Sequence, residues 1–313
     1  MVKRKNDPTV SAIIPTYNRA QLVGRAVQSI LNQTYQDFEI TVVDDSSTDN
    51  TEVVVKSFND ERIRYIRHRE NRGLPAARNT GIRVAKGKYI GLLDDDDEWL
   101  PKKLEKQIDK FRRLSDNVGV VYSGFCYISE NSGKTVSRVI PSLRGNVYVH
   151  LLERCILGSP TPLIRKNCFQ KAGFFDETLP SSEDWDMWIR LSKHYDFDFV
   201  PDILAKHHVH AGQMSADLNA RIVARKKIVA KHMYNLSKRP SILSMHLKRL
   251  GTLHFLMGDV VNGRKYMLNS IKRKAFQVGS YIHLFLSLLA PRTHRDILRK
   301  HSVTNIDGVT FYD

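Results

Sequence analysis

Four aspartates in succession, Asp94 to Asp97, follow the apolar stretch Gly91-Leu92-Leu93. Adjacent carboxylates at the end of a buried strand repel one another unless a cation lies among them. A hard divalent ion meets that need, because Mg²⁺ or Mn²⁺ uses one or two protein carboxylates and completes its shell with water and substrate phosphate oxygens. Capping of a helix starting near Pro101 accounts for one or two of the four acids and leaves the set unexplained. A second acidic pair, Asp44-Asp45, follows the apolar run at 40–43. An oriented carboxylate there can accept the imino hydrogen of a nucleobase; uracil, thymine and guanine offer such a donor, whereas cytosine offers an acceptor. Asp44 and Asp49 also suit an Asx turn and a helix cap.

Other groups gather at comparable positions. Pro15-Thr16-Tyr17-Asn18-Arg19 follows the first apolar run, so that Tyr17 can lie beside a base and stack on it. Asn71-Arg72-Gly73 and Ala77-Arg78-Asn79 open and enter a helix, bringing a guanidinium to meet phosphate oxygens.

The elements that must position these residues alternate along the first half of the chain. Short apolar runs separated by amphipathic stretches predict βαβ units and a largely parallel sheet. Strands are expected at 10–14 (ended by Pro15), 40–43, 63–66, 89–93 and 118–123, with helices at 21–31, 51–58, 74–85 and 101–114. Each polar motif then falls at the carboxyl end of a strand, where ligands of open α/β sheets bind. Residues 125–200 are less regular, with strands expected near 125–129 and 197–200 and a helix over 184–193. Beyond Ala216 the pattern is helical, with stripes such as Leu218, Ile222, Val229, Met233 and Leu236, or Leu243, Leu247, Leu250, Leu253 and Met257.

The segments Val10-Ser11-Ala12-Ile13-Ile14-Pro15-Thr16-Tyr17-Asn18, Val42-Val43-Asp44-Asp45-Ser46-Ser47-Thr48-Asp49, Ala77-Arg78-Asn79-Thr80-Gly81 and Leu93-Asp94-Asp95-Asp96-Asp97 together resemble the family 2 inverting glycosyltransferases. Ala172-Gly173-Phe174-Phe175-Asp176-Glu177, followed by Ser182-Glu183-Asp184-Trp185-Asp186, resembles that family's later acceptor-side motif. The resemblance spans roughly residues 9–215, with its motifs in the family's order. It implies a GT-A fold, a Rossmann-like three-layer α/β/α arrangement with a mostly parallel mixed central sheet, here followed by a helical C-terminal appendage. By the family's pattern Asp45 binds the base, Tyr17 flanks it, Pro15, Thr16 and Tyr17 line its pocket, and Arg78 lies near the diphosphate. The metal motif falls on Asp94 and Asp96, with Asp96 the closest match to the direct ligand; Asp95, between them, stands as a substitute or assistant for Asp94 in donor binding, and Asp97 reads as structural. Asp184 carries over as the catalytic base. His210, followed at a short distance by Ser215, matches a histidine that the family places near the diphosphate or metal.

The implied reaction is inverting, metal-dependent transfer from a nucleotide-diphosphate sugar, a UDP-sugar foremost, to a hydroxyl acceptor in a polysaccharide, glycolipid or glycoprotein glycan, with Mn²⁺ or Mg²⁺ as the divalent cation. Inversion needs one base, which deprotonates the acceptor hydroxyl as it attacks. A nucleotidyltransferase would want a Gly-rich phosphate loop after the first strand, and a Rossmann oxidoreductase G-x-G-x-x-G; neither is present. The competing reading is a non-catalytic, glycosyltransferase-like binding protein with a basic tail for membrane or nucleic acid. The intact set Asp45, Asp94, Asp96 and Asp184 disfavours it.

Charge divides the chain unevenly. Of the net +16, residues 216–313 hold 18 Lys+Arg against 5 Asp+Glu, or +13, leaving +3 for residues 1–215. The domain boundaries follow: 1–215 as the glycosyltransferase domain, with a donor half at about 9–115 and an acceptor half at 116–215, and 216–313 as a basic helical region. Such a tail suggests an anionic membrane surface, and no specific nucleic acid is expected. Three cysteines without zinc-type spacing, and no signal-length apolar start, point to a cytoplasmic setting, peripheral at the inner face of the cell membrane, with a glycan or lipid-linked acceptor. The apolar segment at 281–290 falls short of the ~20 residues a spanning helix needs, and is expected as a core or surface helix.

Overall fold

The computed structural model describes residues 7–210, 213, 217–301, 304–306 and 309–311. Its chain forms two compact units, the first made of 1–151, 155–177 and 184–208, the second of 152–154, 178–183 and the chain from 209 onward.

In the first unit β1 (Val10–Thr16), α1 (Ala20–Leu31), β2 (Phe38–Asp44), α2 (Thr51–Lys56), β3 (Ile63–Arg67), α3 (Leu74–Val84) and β4 (Tyr89–Leu92) alternate as the apolar periodicity predicts. Their strands pair in parallel in the order β3-β2-β1-β4. Every residue of β1 is buried, which is why parallel strands covered on both faces read as unbroken apolar runs. Val10, Ala12 and Ile14 pack with Val23, Val27 and Ile30 of α1 and with Ile40 and Val42 of β2 in the main core. Each such side chain contributes about 1.5–3 kcal/mol on burial.

Pro15 does not end β1, contrary to expectation. The β1–β4 pairing stops at Ile13, so beyond it β1 is bonded on the β2 side alone and an imide nitrogen facing the other way costs no ladder bond.

The remainder is β5 (Glu98–Trp99), α4 (Lys103–Arg112), β6 (Val118–Ser129), β7 (Thr135–Val139), α5 (Tyr148–Glu153), β8 (Leu163–Arg165), α6 (Cys168–Ala172), α7 (Glu183–Ser192) and β9 (Asp196–Val209). The full sheet runs β3-β2-β1-β4-β8-β6-β9-β5 with β7 beside β6. The β4–β8, β6–β8, β6–β7 and β5–β9 pairs are antiparallel. The two strands expected at 118–123 and 125–129 are one, because Gly124 lies where a Cβ would stand 2.9 Å from the Val139 carbonyl and 3.0 Å from that of Asp202. Here glycine lets neighbouring backbone close in rather than breaking the strand.

The second unit is helical: α8 (Leu218–Lys231), α9 (Met233–Ser237), α10 (Pro240–Met257), α11 (Val260–Arg273), α12 (Val278–Leu289) and α13 (Pro291–His301), then an antiparallel pair β10 (Thr304–Ile306) and β11 (Val309–Phe311). Asp217 caps α8 by accepting from the Asn219 and Ala220 amides, and Asp259 caps α11 through Asn262 N–H. Phe255, Leu256, Met267 and Leu298 form one of its cores. Among the described residues no helix is long and apolar enough to cross a membrane.

Candidate active site

The loops after β1 and β2 are laced together. Asn18, in the left-handed region at φ 51°, receives its partners from across the gap: its amide donates to Ser47 Oγ at 2.8 Å and its Oδ1 accepts the Thr48 amide at 2.7 Å. Tyr17 stands beside this junction with 45% of its surface exposed, available for stacking, whereas Thr16 is buried. Asp44 is structural, accepting the Ser47 amide at 2.7 Å and the Tyr65 hydroxyl.

Asp45 lies at the expected strand end, but its carboxylate is already engaged. Oδ1 meets His68 Nδ1 at 2.6 Å and the Arg72 amide at 2.9 Å, while Oδ2 takes the Gly73 amide at 2.6 Å. Gly73, at a φ of 87°, then turns the chain into α3 directly after these two amides. His68 is fixed in turn, with Nε2 2.9 Å from Thr80 Oγ1 on α3. A base imino group would therefore share Asp45 with donors already in place.

The acidic run has four different environments. Asp94 is bound on both oxygens: Arg78 Nη2 donates to Oδ1 at 2.5 Å and Ser159 Oγ to Oδ2 at 2.8 Å, while Arg78 also reaches Ser159 Oγ at 3.0 Å. Arg78 is almost wholly buried with its guanidinium 5.5 Å from the Phe175 ring centroid, so in this state it is a counter-ion to the acidic turn rather than an outstretched phosphate ligand. Asp95 is buried, and desolvation, reinforced by repulsion from Asp96, pushes its carboxyl up to about 7. Asp96 keeps 14% side-chain exposure with Arg19 Nη1 at 3.3 Å.

Asp97 is fully buried and accepts from His207 Nδ1 at 3.0 Å and from the His208 amide at 3.0 Å, which pins the turn to the end of β9. Burial opposes protonation of His207, but Asp97 overrides it and raises the imidazole, while burial raises Asp97 itself. The structural part expected of Asp97 matches this geometry. Further out, His208 lies between Glu98, 2.7 Å from Nε2, and Glu130, 2.9 Å from Nδ1, and Arg25 Nη1 reaches Glu130 at 2.8 Å.

Asp184 sits in the first turn of α7, its Oδ1 accepting the Trp185 amide at 2.6 Å. Burial raises its carboxyl above the usual range; Arg78 is the main opposing charge, and Asp94 adds to the rise. A carboxylate held this way accepts a proton more readily than a solvated one, as a general base should. Pro15 continues β1 as a buried residue. His210 belongs to the second unit, and Ser215 lies outside the described residues.

The donor set suits a hard divalent cation. Among the described residues no three His, Cys, Asp or Glu side chains converge as a ready-made cage, but a Mg²⁺- or Mn²⁺-type site needs only one or two carboxylates and takes the rest from water and phosphate. Arg78, Arg19 and His207 answer Asp94, Asp96 and Asp97, yet burial still raises both Asp95 and Asp97, and a cation added to this turn would lower them.

Residues not singled out in the sequence also build the site: Ser159, His68, Arg25 and Glu130. His68 could have been found by the rule that led to Asp45, since it directly follows β3. Ser159, in Gly158-Ser159-Pro160, carries only the signature of a turn.

A model of the family described as glycosyl transferase family 2 matches residues 11–169. A glycosyltransferase of Rickettsia prowazekii (strain Madrid E) is 32% identical over 258 residues, covering 81% of this chain and 79% of that protein. An Escherichia coli protein named UDP-Glc:alpha-D-GlcNAc-diphosphoundecaprenol beta-1,3-glucosyltransferase WfgD is 33% identical over 190 residues, 60% of this chain and 71% of that one. Relatives in Rickettsia bellii and Rickettsia felis are longer, the match spanning 31% and 36% of their length. Among solved structures, S. aureus TarS 1–349 in complex with UDP-GlcNAc superposes with a TM-score of 0.69 at 17% identity, covering 97% of this chain and 96% of that one. The mannosyltransferase PcManGT from Pyrobaculum calidifontis, in complex with GDP-Man and Mn²⁺, gives 0.57 at 19% identity, covering 93% and 84%.

Proposed function

Because the chain belongs to glycosyl transferase family 2 and has the GT-A fold, we propose that it transfers a sugar, with inversion at the anomeric carbon, from a nucleoside-diphosphate sugar to a hydroxyl acceptor. What supports this reading is the buried Arg78 held on Asp94 and Ser159 at the acidic turn after β4, together with Asp184 at the start of α7, whose carboxyl is raised by burial and opposed chiefly by Arg78.

In the proposed reaction the acceptor oxygen attacks the anomeric carbon from the face opposite the nucleotide, and Asp184 takes its proton as the new glycosidic C–O bond forms. The bond from that carbon to the diphosphate oxygen breaks, its electron pair leaving with the nucleoside diphosphate. Asp96 and Asp94 would hold a Mn²⁺ or Mg²⁺ ion with Asp95 beside them. The chemistry such an ion supplies is neutralisation of the charge growing on the departing diphosphate. Arg78 keeps Asp94 oriented through both the direct pair and Ser159. Tyr17 would stack on the base, with Pro15 and Thr16 as the pocket wall and Asp45 sharing its carboxylate with the base N3–H.

UDP-sugars are the proposed donors. Uracil, like thymine and guanine, offers the imino donor that Asp45 would accept, and the E. coli relative is named for UDP-Glc while TarS was solved with UDP-GlcNAc. The proposed acceptor is a glycan or lipid-linked glycan built at the inner face of the membrane. The diphosphoundecaprenol named for the E. coli relative and the +13 of residues 216–313 support it.

Screening hydrolysis of UDP-, GDP- and dTDP-sugars with Mn²⁺ or Mg²⁺ tests the donor. Asp96→Ala is expected to lose metal-dependent donor binding and Asp184→Asn to bind donor without transfer; wild-type turnover in both would sink the assignment. Release of the protein from membranes by high salt tests the location.

A further inference from the structure

Helix α12 is amphipathic in the wrong sense for a helix facing water. Val278, Tyr281, Ile282, Phe285, Leu288 and Leu289 are 65, 46, 51, 61, 59 and 68% exposed, and Phe276 just before the helix is 90% exposed. At 100° per residue the six helical positions share roughly 120° of the circumference, a continuous apolar stripe. The opposite face is polar and turned inward. Ser280 and Ser287 are fully buried, Ser280 Oγ lies 3.0 Å from Ser270 Oγ, Arg264 Nε donates to Ser287 Oγ at 3.2 Å, and His283 Nδ1 meets His294 Nε2 at 3.0 Å. Burial, with Lys248 and then His294 adding to it, lowers His283 to about 4, so this inner face is polar but does not gain charge near neutrality.

The sequence around the stripe is cationic. Lys272, Arg273 and Lys274 precede α12 and are exposed; Arg292 and Arg299 follow on α13, also exposed, with Arg295 partly so. From Val260 to Lys300 the only carboxylate is Asp296. An exposed apolar stripe bordered by cations is the surface that settles at the headgroup level of an anionic bilayer, its apolar side chains among the acyl chains and the Lys and Arg heads on lipid phosphates. With only 12 residues, α12 lies on such a surface and does not cross it.

We propose that α12 is the membrane-contacting element of this chain, resting in the plane of an anionic lipid surface on its outward apolar stripe. The inference deepens the membrane location proposed above and assigns it to specific side chains, so that charge alone is not the whole of the attachment. The anionic lipid is favoured over a second copy of this chain because a copy would bring the same cations against the same stripe.

The full chain is to be floated with vesicles of phosphatidylcholine alone and of phosphatidylcholine with phosphatidylglycerol, at low and high salt. Binding to the anionic vesicles is expected to fall by roughly tenfold or more when Phe285→Asp and Leu289→Asp are combined, since two apolar anchors become anions. Val53→Asp, at a position 66% exposed on α2, serves as the matched control and is expected to bind as wild type. Circular dichroism melts confirm that the variants fold, and Phe285→Trp gives a fluorescence signal that brominated lipid should quench. Wild-type protein that ignores anionic vesicles overturns the proposal. So does unchanged binding by the double variant, which would leave attachment to charge alone, or a dimer in sedimentation that the double variant dissociates while vesicles are not bound. Donor turnover enters none of these readouts, so their failure is separable from failure of the glycosyltransfer reading.

Discussion

Replacing Arg78 by methionine removes the charge that lies between the acidic turn and α7 while keeping much of the side-chain volume. The guanidinium is 2% and the Asp94 side chain 21% exposed, so the loss strands a largely desolvated carboxylate to which the Ser159 hydroxyl still donates. Breaking a fully buried pair costs about 3–5 kcal/mol, and the water that reaches Asp94 reduces this to about 2–3 kcal/mol. Loss of the cation over Phe175 adds little, because methionine sulfur also packs well against a ring. At roughly 2–4 °C per kcal/mol for a unit of this size, the melting temperature should fall by roughly 4–12 °C, measurable by calorimetry at neutral pH. Ser159→Ala keeps the ion pair, loses about 1 kcal/mol, and should melt between the two. A second consequence separates this pairing from generic packing. Arg78 is the main charge holding Asp184 down, so without it the already raised carboxyl climbs further. In the proposed reaction Asp184 works deprotonated, hence the acid limb of the pH–rate profile is expected to move to higher pH in the variant. A methionine variant with wild-type melting and an unmoved acid limb would refute the coupling.

Three other outcomes follow from the same geometry. Asp184→Asn should raise the melting temperature at neutral pH while abolishing transfer: a carboxyl raised in the folded state contributes stability below its unfolded pKa and loses it as pH rises through the folded value, and asparagine never ionises. The gain should shrink on acidification, and a variant less stable than wild type at neutral pH contradicts the argument. Lys103 is fully buried, 4.2 Å from the Trp99 ring centroid, and desolvation lowers its pKa well below the usual lysine value. Wild-type stability should therefore rise relative to Lys103→Met as pH is taken from neutral toward about 10, checked by urea unfolding at both ends; a constant difference would mean that the amine is charged in the fold. Gly91→Ala would place a Cβ 2.5 Å from Trp99, whose indole is tethered to the Pro160 carbonyl at 2.9 Å. Overpacking should cost about 1–3 kcal/mol and, three residues before Asp94, weaken donor binding, as thermal melts and donor titration would show.

What the sequence reveals of this site depends on how local the cause is. Asp45 and the Asp94–Asp97 run stand out because β2 and β4 are buried strands that read as apolar runs, and a polar residue ending such a run has a known place in an open α/β sheet. The antiparallel half leaves fainter traces. β5 and β8 are two and three residues long, and β8 is a strand only because Leu163 and Ile164 meet β4 on one side and β6 on the other. Glycine and proline misled in opposite ways to their usual meaning, since Gly124 continues a strand by admitting its neighbours and Pro15 continues one where no neighbour needs its N–H. Occupancy was the least legible property. The strand-end rule finds Asp45 but not that the turn at Gly73 has filled its lone pairs, and a helical arginine usually reaches water, whereas Arg78 is held under Phe175 by Asp94 and by Ser159, 81 residues away in the chain. A donor pocket read from sequence is thus a set of residue types at strand ends. Whether each side chain greets the ligand or holds its neighbour in place is decided by contacts that no local pattern encodes, and for Arg78 and Asp45 the decision has gone to the neighbour, so the proposed nucleotide would have to share these groups with the fold rather than find them waiting.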